Sequence, residues 1–246
     1  MIPPTSLQCI FSVKNTSKRE KKKKLYSVCE GTNTEPNLLE DIFTQTDYIT
    51  NKSYDYYSMD RTENDKGANT LEQLVEYGKS IIENKENKFK KKKDKVIIFF
   101  DLDRYRTKIN EVKKIINENK DNMVFVFTNP AIELFLLLCV DANSYEAIVE
   151  PNKEKILKNE WYPNDSDPNR LRYVNHLLQD KTGIDPKSHD GDMNFFAKNL
   201  QYGVNQEKMY LSQKLTNLES SLISNFSVFV DALNNETLND IKYDII

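Results

Sequence analysis

The chain is poor in the residues that bind soft metals or cross-link a fold: its 246 residues include three cysteines and two histidines. Cys9, Cys29 and Cys139 are scattered, and two of them lie in apolar runs where a thiol packs as a small hydrophobe. Neither a disulfide framework nor a zinc site is indicated. With only His176 and His189 available, a histidine-rich centre is poorly supported, so any metal is expected to be a hard cation held by carboxylates. Long apolar runs are missing as well. None approaches the roughly 18 residues of a membrane span, and the opening "MIPPTSLQCIFSVKNTSKRE" lacks a basic region leading into an apolar segment and cleavage site. A cytoplasmic protein with no membrane segment is expected. The formal net charge is only −3 although 30% of residues are charged. That argues against a generic polyanion binder and leaves local patches open.

What is present is a regular alternation of strand-like and helix-like segments. Residues 25–29 read as a strand, 35–44 as a helix burying Leu38, Leu39, Ile42 and Phe43, and 54–59 as a weaker strand. A helix over 71–84 follows, with Leu71, Leu74, Val75, Ile81 and Ile82 on one stripe. The run over 96–100 in "KVIIFFDLD" is continuously β-branched and aromatic, as a central parallel strand covered on both faces requires. An amphipathic helix over 109–119 leads to a fourth strand over 123–127. The β-α-β-α-β-α-β order predicts an α/β fold, a Rossmann-like parallel sheet flanked by helices. Residues 1–24 form a basic lead-in, 25–141 the core, and 142–246 a helical extension packed on it. In that extension "NEWYPNDSDPNR" reads as a turn-rich loop and 218–233 as a last helix.

Acids fall where this topology makes them useful, because the C-terminal ends of parallel strands form the ligand edge of such a sheet. In "VCEGTNTEP" Glu30 ends the first strand, and Asp101 and Asp103 end the third. Alternate residues of an extended segment point the same way, so both aspartates are expected to face one ion. If the first and third strands are neighbours, Glu30 joins them, and close carboxylates call for a divalent cation, Mg²⁺ or Mn²⁺. An isolated Asp-x-Asp is ordinarily a solvated turn; here it coincides with a second strand-end acid.

Glu133 stands alone among Ile132, Leu134, Phe135, Leu136, Leu137 and Leu138, in a helix that Asn129 is expected to cap, with Pro130 in its first turn. A buried unpaired carboxylate costs several kcal/mol, so Glu133 needs a metal, a buried arginine or a capping role. Glu35, in the first turn of its helix, is explained by the helix dipole, worth roughly 0.3–1 kcal/mol, and has an accessory place beside the metal as its alternative. The lysine runs at 21–24 and 90–93 precede strands and are expected at the far edge of the sheet, solubilising buried strands. Arg104, Arg106 and Lys108 follow Asp103 directly and are candidates for phosphate contacts, against the alternative of a solvated loop.

Three blocks, "VCEGTNTEPNLLEDI", "IIFFDLD" and "FTNPAIELFLLL", resemble in order and spacing the signature blocks of RloB-like proteins, the group that includes the AbiLii component of the AbiL abortive-infection system. These are Toprim-type domains. The family's Glu-Gly-x-x-Thr-Glu-Pro falls on Glu30, Gly31, Thr34, Glu35 and Pro36, its Asp-x-Asp on Asp101 and Asp103, and its Asn-Pro-x-x-Glu on Asn129, Pro130 and Glu133. Ile132 departs from a position where an aromatic is common. Residues 21–140 carry most of the resemblance, and "SNFSVFVDAL" is similar to the family's C-terminal helix. The resemblance implies a Toprim-like fold and Mg²⁺- or Mn²⁺-dependent phosphodiester chemistry, often nucleolytic, in antiphage defence. It further implies an AAA/ABC-type ATPase partner encoded nearby. Glu30, Asp101 and Asp103 would hold metal and Glu133 would complete the site, with Glu30 as second ligand or as general acid/base.

The competing expectations are a non-catalytic nucleic-acid-binding or regulatory subunit that docks the ATPase, and phosphoryl transfer on a nucleotide. No feature separates a DNA from an RNA substrate. Gating by the partner would act through mobile loops, for which 63–69 with Gly67 and 161–169 are the candidates.

Overall fold

Four strands run parallel because three helical crossovers return the chain each time to the same edge of one sheet. The structure is a computed structural model and describes residues 8–9, 22–49, 53–59, 70–162, 171–188 and 193–243. The loop 63–69 and His189 lie outside the described residues, as does most of 161–169. In chain order the first half holds β1 (Gln8–Cys9), β2 (Lys23–Cys29), α1 (Thr34–Gln45), β3 (Tyr54–Ser58), α2 (Leu71–Glu83), β4 (Lys95–Asp101), α3 (Ile109–Asn119), β5 (Met123–Asn129) and α4 (Glu133–Leu138). The second half holds α5 (Lys153–Lys158), β6 (Trp161–Tyr162), β7 (Leu171–Arg172), α6 (Tyr173–Thr182), α7 (Asn194–Lys198), α8 (Leu200–Tyr210), β8 (Ile223–Ser224) and α9 (Phe226–Asn234).

The sheet order is β1-β3-β2-β4-β5-β8, with β3, β2, β4 and β5 mutually parallel and the two short edge strands antiparallel. The first and third predicted strands, β2 and β4, are neighbours, in the register Leu25↔Lys95 to Cys29↔Phe99. Their apolar runs are continuous because both faces are covered. One face carries Tyr26, Val28, Val96, Ile98 and Phe100 against Leu71, Leu74, Val75 and Ile81 of α2 and Val112 and Ile116 of α3. The other carries Leu25, Ile97, Phe99, Val124 and Val126 against α1, α4, α6, α8 and α9. Burial of each such aliphatic or aromatic side chain contributes about 1.5–3 kcal/mol.

The α2 helix begins on a full capping box, Thr70 with Gln73. On the other face α8 approaches α4 at Gly203, where a Cβ would sit 2.4 Å from Cys139 Sγ. No helix among the described residues is long and apolar enough to cross a membrane.

The structure departs from the sequence reading at the last helix and at the end of β5. The last helix begins at Phe226 rather than at 218, because Ile223 and Ser224 pair with Asn129 and Thr128 as an edge strand. Asn225 then uses its side-chain amide as a strand would use its backbone, accepting from Phe127 N at 2.8 Å and donating to Phe125 O at 2.9 Å. Asn129 does not cap a helix: it is the last residue of β5, and its amide donates to Leu218 O and Ser221 O. The Asn129–Pro130 peptide is cis, and α4 starts at Glu133, so Pro130 is not in its first turn. Of the turn-rich segment, 163–170 lie outside the described residues; beside them Trp161 pairs with Arg172 and Tyr162 with Leu171.

Candidate active site

Each parallel strand delivers its last residues to the same edge, and the ladder fixes how they meet. Glu30 follows β2, and its N–H continues the pairing by donating to Phe99 O at 2.9 Å. Its side chain then turns across to β4, where Glu30 Oε2 accepts from Asp101 N at 3.1 Å. On the outer side Arg104 Nη1 lies 3.4 Å from Glu30 Oε1. Burial pushes the Glu30 carboxyl up to about 7, against the pull of Asp101 N–H and Arg104, with Glu35 and Asp103 adding to the rise.

Asp101 is held through one oxygen. Its Oδ1 accepts from Thr128 Oγ1 at 3.0 Å and from Ile132 N at 3.0 Å, so an acid from β4 satisfies a donor at the start of α4 that Asn129 does not reach. Desolvation, and then the carboxylates of Glu35, Glu133 and Glu30, raise its pKa well above the usual range, with Lys187 opposing them.

Asp103 reaches the edge by a different route from the expected pleat alternation. The strand stops at Asp101, Leu102 turns into helical backbone with φ −90° and ψ −5°, and Asp103 opens a single 3₁₀ turn to Tyr105. It remains part-exposed on the side of Glu30, whose carboxyl feels its charge.

Glu35 and Glu133 form the inner side of the cluster. Glu35 is 3% exposed, in the first turn of α1, and its Oε1 accepts from Gly31 N at 3.1 Å. A Cβ on Gly31 would lie 2.0 Å from Glu35 Oε2, which explains the glycine after the strand-end acid. Glu35 Oε2 is buried without a partner. Its pKa is raised, first by burial, with Lys187 pulling down and Glu133 pushing up. Glu133 is 0% exposed, at the first residue of α4. Its Oε1 pairs with Lys187 Nζ at 2.7 Å and its Oε2 has no partner.

Lys187 has no counterpart in the sequence reading. It comes from a turn between α6 and α7, more than 150 positions from Glu30, and nothing in the local stretch "GIDPKSHD" distinguishes its lysine from a solvated one. Only the contact with Glu133, the lone acid in its apolar run, would have suggested a cation from elsewhere. Burial works against its charge, but Glu133, Glu35 and Asp101 overcome this and hold the ammonium protonated.

The basic candidates divide. Arg104 lies on Glu30 with its side chain more than half exposed. Arg106 donates to Leu157 O, which ties it to the end of α5. Lys108 pairs with Glu111 at 3.6 Å on an exposed surface. The described lysines of the two runs, 22–24 and 90–93, are at the opposite edge, where Lys24 Nζ donates to Asn87 O and Lys24 N to Asp94. A cavity of about 740 Å³ also opens at that edge, between Lys95, Lys120 and the segment 238–243. It gathers no comparable set of buried acids, and the carboxylates at the other edge carry more chemical information than its volume.

The donor set suits a hard cation: all carboxylate, with two buried oxygens that no protein group satisfies. Among the described residues, however, no three His, Cys, Asp or Glu side chains are grouped as a ready metal site. The reason lies in the contacts above: Glu30 is engaged by Asp101 N and Arg104, and Glu133 by Lys187.

The family model described as RloB-like protein matches residues 25–233, a span that includes every acid of the cluster and Lys187. No curated protein and no solved structure matches the chain.

Proposed function

The chain belongs to the RloB-like protein family, and from that premise we propose that it is a metal-dependent phosphodiesterase of Toprim type. It acts on nucleic acid as the effector of an antiphage defence pair whose other member is an ATPase. Family membership is consistent with a defence-associated role. The observation that supports catalysis is the partnerless state of Glu35 Oε2 and Glu133 Oε2, buried beside Asp101 at the ligand edge of the sheet. A scaffold has no physical use for such a cluster, whereas a cation site does.

Glu30, Asp101 and Asp103 would hold Mg²⁺ or Mn²⁺, which when bound would polarise a phosphoryl oxygen and supply hydroxide near neutral pH. Asp101 is oriented for this by Thr128 and by the start of α4. Glu30, with its carboxyl raised to about 7, holds or releases a proton in the neutral range, so metal uptake is coupled to proton release. Arg104, exposed and already at the cluster, is placed to meet a phosphate of the incoming strand.

A second reading, a non-catalytic subunit that docks the ATPase, draws on the lack of a ready three-acid group. One experiment separates the two. The chain is assayed alone and with the neighbouring ATPase, ATP and Mg²⁺ on end-labelled single- and double-stranded DNA and RNA. Cleavage is expected only with the partner, and is expected to vanish in Asp101→Asn and Glu30→Gln. Cleavage unaltered by either change would hand the site to the docking reading. Vigorous cleavage by the chain alone would remove the gating and keep the site.

A further inference from the structure

The chain's single tryptophan lies on the surface. Trp161 and Tyr162, the two residues of β6, are 39% and 42% exposed, although such side chains are the ones that cores and interfaces bury. Their setting is built with care. β6 pairs with β7 as a separate two-stranded ribbon. Its feet are fastened by Tyr173 N donating to Glu160 O at 2.9 Å, Val174 N to Asn159 Oδ1 at 3.2 Å and Tyr173 Oη to Asn152 Oδ1 at 2.7 Å. Arg172 Nη1 donates to Asn159 O at 3.2 Å, and its guanidinium carbon lies 4.3 Å from the centroid of the Trp161 ring. Tyr162 stacks on His176, with centroids 4.3 Å apart and planes 28° from parallel. Each ring is thus backed by a guanidinium or an imidazole that holds its orientation while a large part of it still meets solvent.

Two connections tie the ribbon to the acid edge. Arg106, three positions after Asp103, donates to Leu157 O near the end of α5, which leads into β6. The α6 helix, which follows β7 and carries His176, leads into the turn whose Lys187 reaches Glu133.

Oriented rings beside a cation suit a single nucleic-acid strand, whose bases lie on the rings while a phosphate meets the cation. Successive residues of a strand point to opposite faces, so the ribbon offers one ring on each side, as splayed bases require. A duplex cannot use such a platform, because its base faces already stack on one another. Basic residues outnumber acidic ones five to three over 153–162 and 171–182, and six to five with 163–170 included, in a chain of net charge −3. The excess is small, so stacking carries the affinity and charge assists.

We propose that β6 and β7, with His176, form a base-stacking platform beside the acid cluster, and that the substrate is single-stranded DNA or RNA. This rests on the nucleic-acid reading above and narrows its substrate class.

Binding is measured in chelator, where it is read without metal and without cleavage. The probes are a DNA strand of about 12 nucleotides, an RNA strand of the same sequence, and the duplex of the DNA strand with its complement. Because Trp161 is the single tryptophan, its fluorescence reports the ribbon alone. Saturable quenching is expected with at least one single strand, and little with the duplex. By anisotropy of the end-labelled strand, Trp161→Ala and Tyr162→Ala are each expected to bind about tenfold more weakly. Both side chains are exposed, so the variants keep the fold, and Trp161→Phe, which retains a ring, is expected to recover most of the loss. Arg172→Ala should lower the slope of log affinity against log salt by about 0.7, as the loss of one phosphate contact requires. Lys92→Ala, exposed at the far edge, should change nothing. Strand affinity unaltered in Trp161→Ala and Tyr162→Ala, or a duplex bound as tightly as the single strands, overturns the platform and leaves the nucleic-acid reading standing. No binding of any of the three probes overturns both.

Discussion

Two buried glutamates in this molecule, Glu207 and Glu133, are both 0% exposed and are treated in opposite ways. Glu207, on α8, has a partner for each oxygen: Ser224 Oγ donates to Oε2 at 2.6 Å, and Ser227 N and Oγ donate to Oε1 at 2.8 and 2.5 Å. It fastens α8 to the β8–α9 corner. Glu133 has one lysine on one oxygen and nothing on the other. The fold can satisfy a buried carboxylate with hydroxyls and backbone when the purpose is to hold helices together. Leaving the edge cluster short of donors is then a property of that site, of the kind that favours ligand binding at the expense of stability.

The sharpest way to break the comparison is to neutralise the acid that links both sides of the cluster. Under the proposed function, Asp101→Asn, assayed with the proposed ATPase partner and Mg²⁺, is expected to lower the cleavage rate about a thousandfold, which corresponds to roughly 4 kcal/mol. The folded stability of the isolated chain should not fall with it, because an amide oxygen still accepts from Thr128 and Ile132. A large loss of stability with activity retained would make Asp101 structural, like Glu207.

Glu207→Ala should do the reverse, costing about 3 kcal/mol in denaturant unfolding, since it strands the two serine hydroxyls and one N–H. Its pH dependence has a definite sign. Burial pushes the Glu207 carboxyl up to about 7 in spite of the serine bonds. A carboxyl raised above its ordinary 4.5 keeps in the folded state a proton that the unfolded chain has released. Its contribution is complete below that ordinary value and is lost as pH rises through about 7. Glu207→Gln should flatten the fall in stability across this window. An equally steep fall in the variant would move the effect to the edge acids.

Gly31→Ala comes next, at about 2 kcal/mol. The new methyl would collide with Glu35 Oε2. The cost should disappear in the Glu35→Ala background, and a double-mutant cycle measures that coupling. An undiminished cost would trace the glycine to backbone needs unrelated to the carboxylate.

Legibility in the sequence follows the same divide. The interior strands and α3 were readable because each is specified by its own period, and 109–119 coincides with the helix in the structure. Glu133 was readable as an anomaly, a single charge in an apolar helix. Lys187 and Glu207 were not, because each looks like an ordinary surface residue until a contact distant in sequence is made. The misplaced 218–233 helix has the same cause: Asn225 imitates a strand backbone, and no local pattern records that. The Asp101–Asp103 pair was expected to share a pleat, whereas Leu102 bends the chain into a turn between them.

The smallest effect is also the one that distinguishes a strained cluster from a satisfied ionic network. Glu35 is pushed by Glu133 and pushes Asp101, and Lys187 is the charge that pulls the other way. Glu35→Gln removes three repulsions, those with Glu133, Asp101 and Glu30, and one attraction, that with Lys187, and keeps an oxygen to accept from Gly31 N. In metal-free buffer with chelator, at pH 8, the variant should be more stable than the wild type by about 1 kcal/mol in urea unfolding. The gain should shrink as pH falls toward the ordinary carboxylate range, because the raised pKa of Glu35 means that a proton then neutralises it without the substitution. A gain that vanishes or reverses at pH 8 would mean that Lys187 already balances the inner acids as completely as the serines balance Glu207. The contrast between the two glutamates would then be one of partner type, ammonium against hydroxyl, and the edge would have no stability to recover.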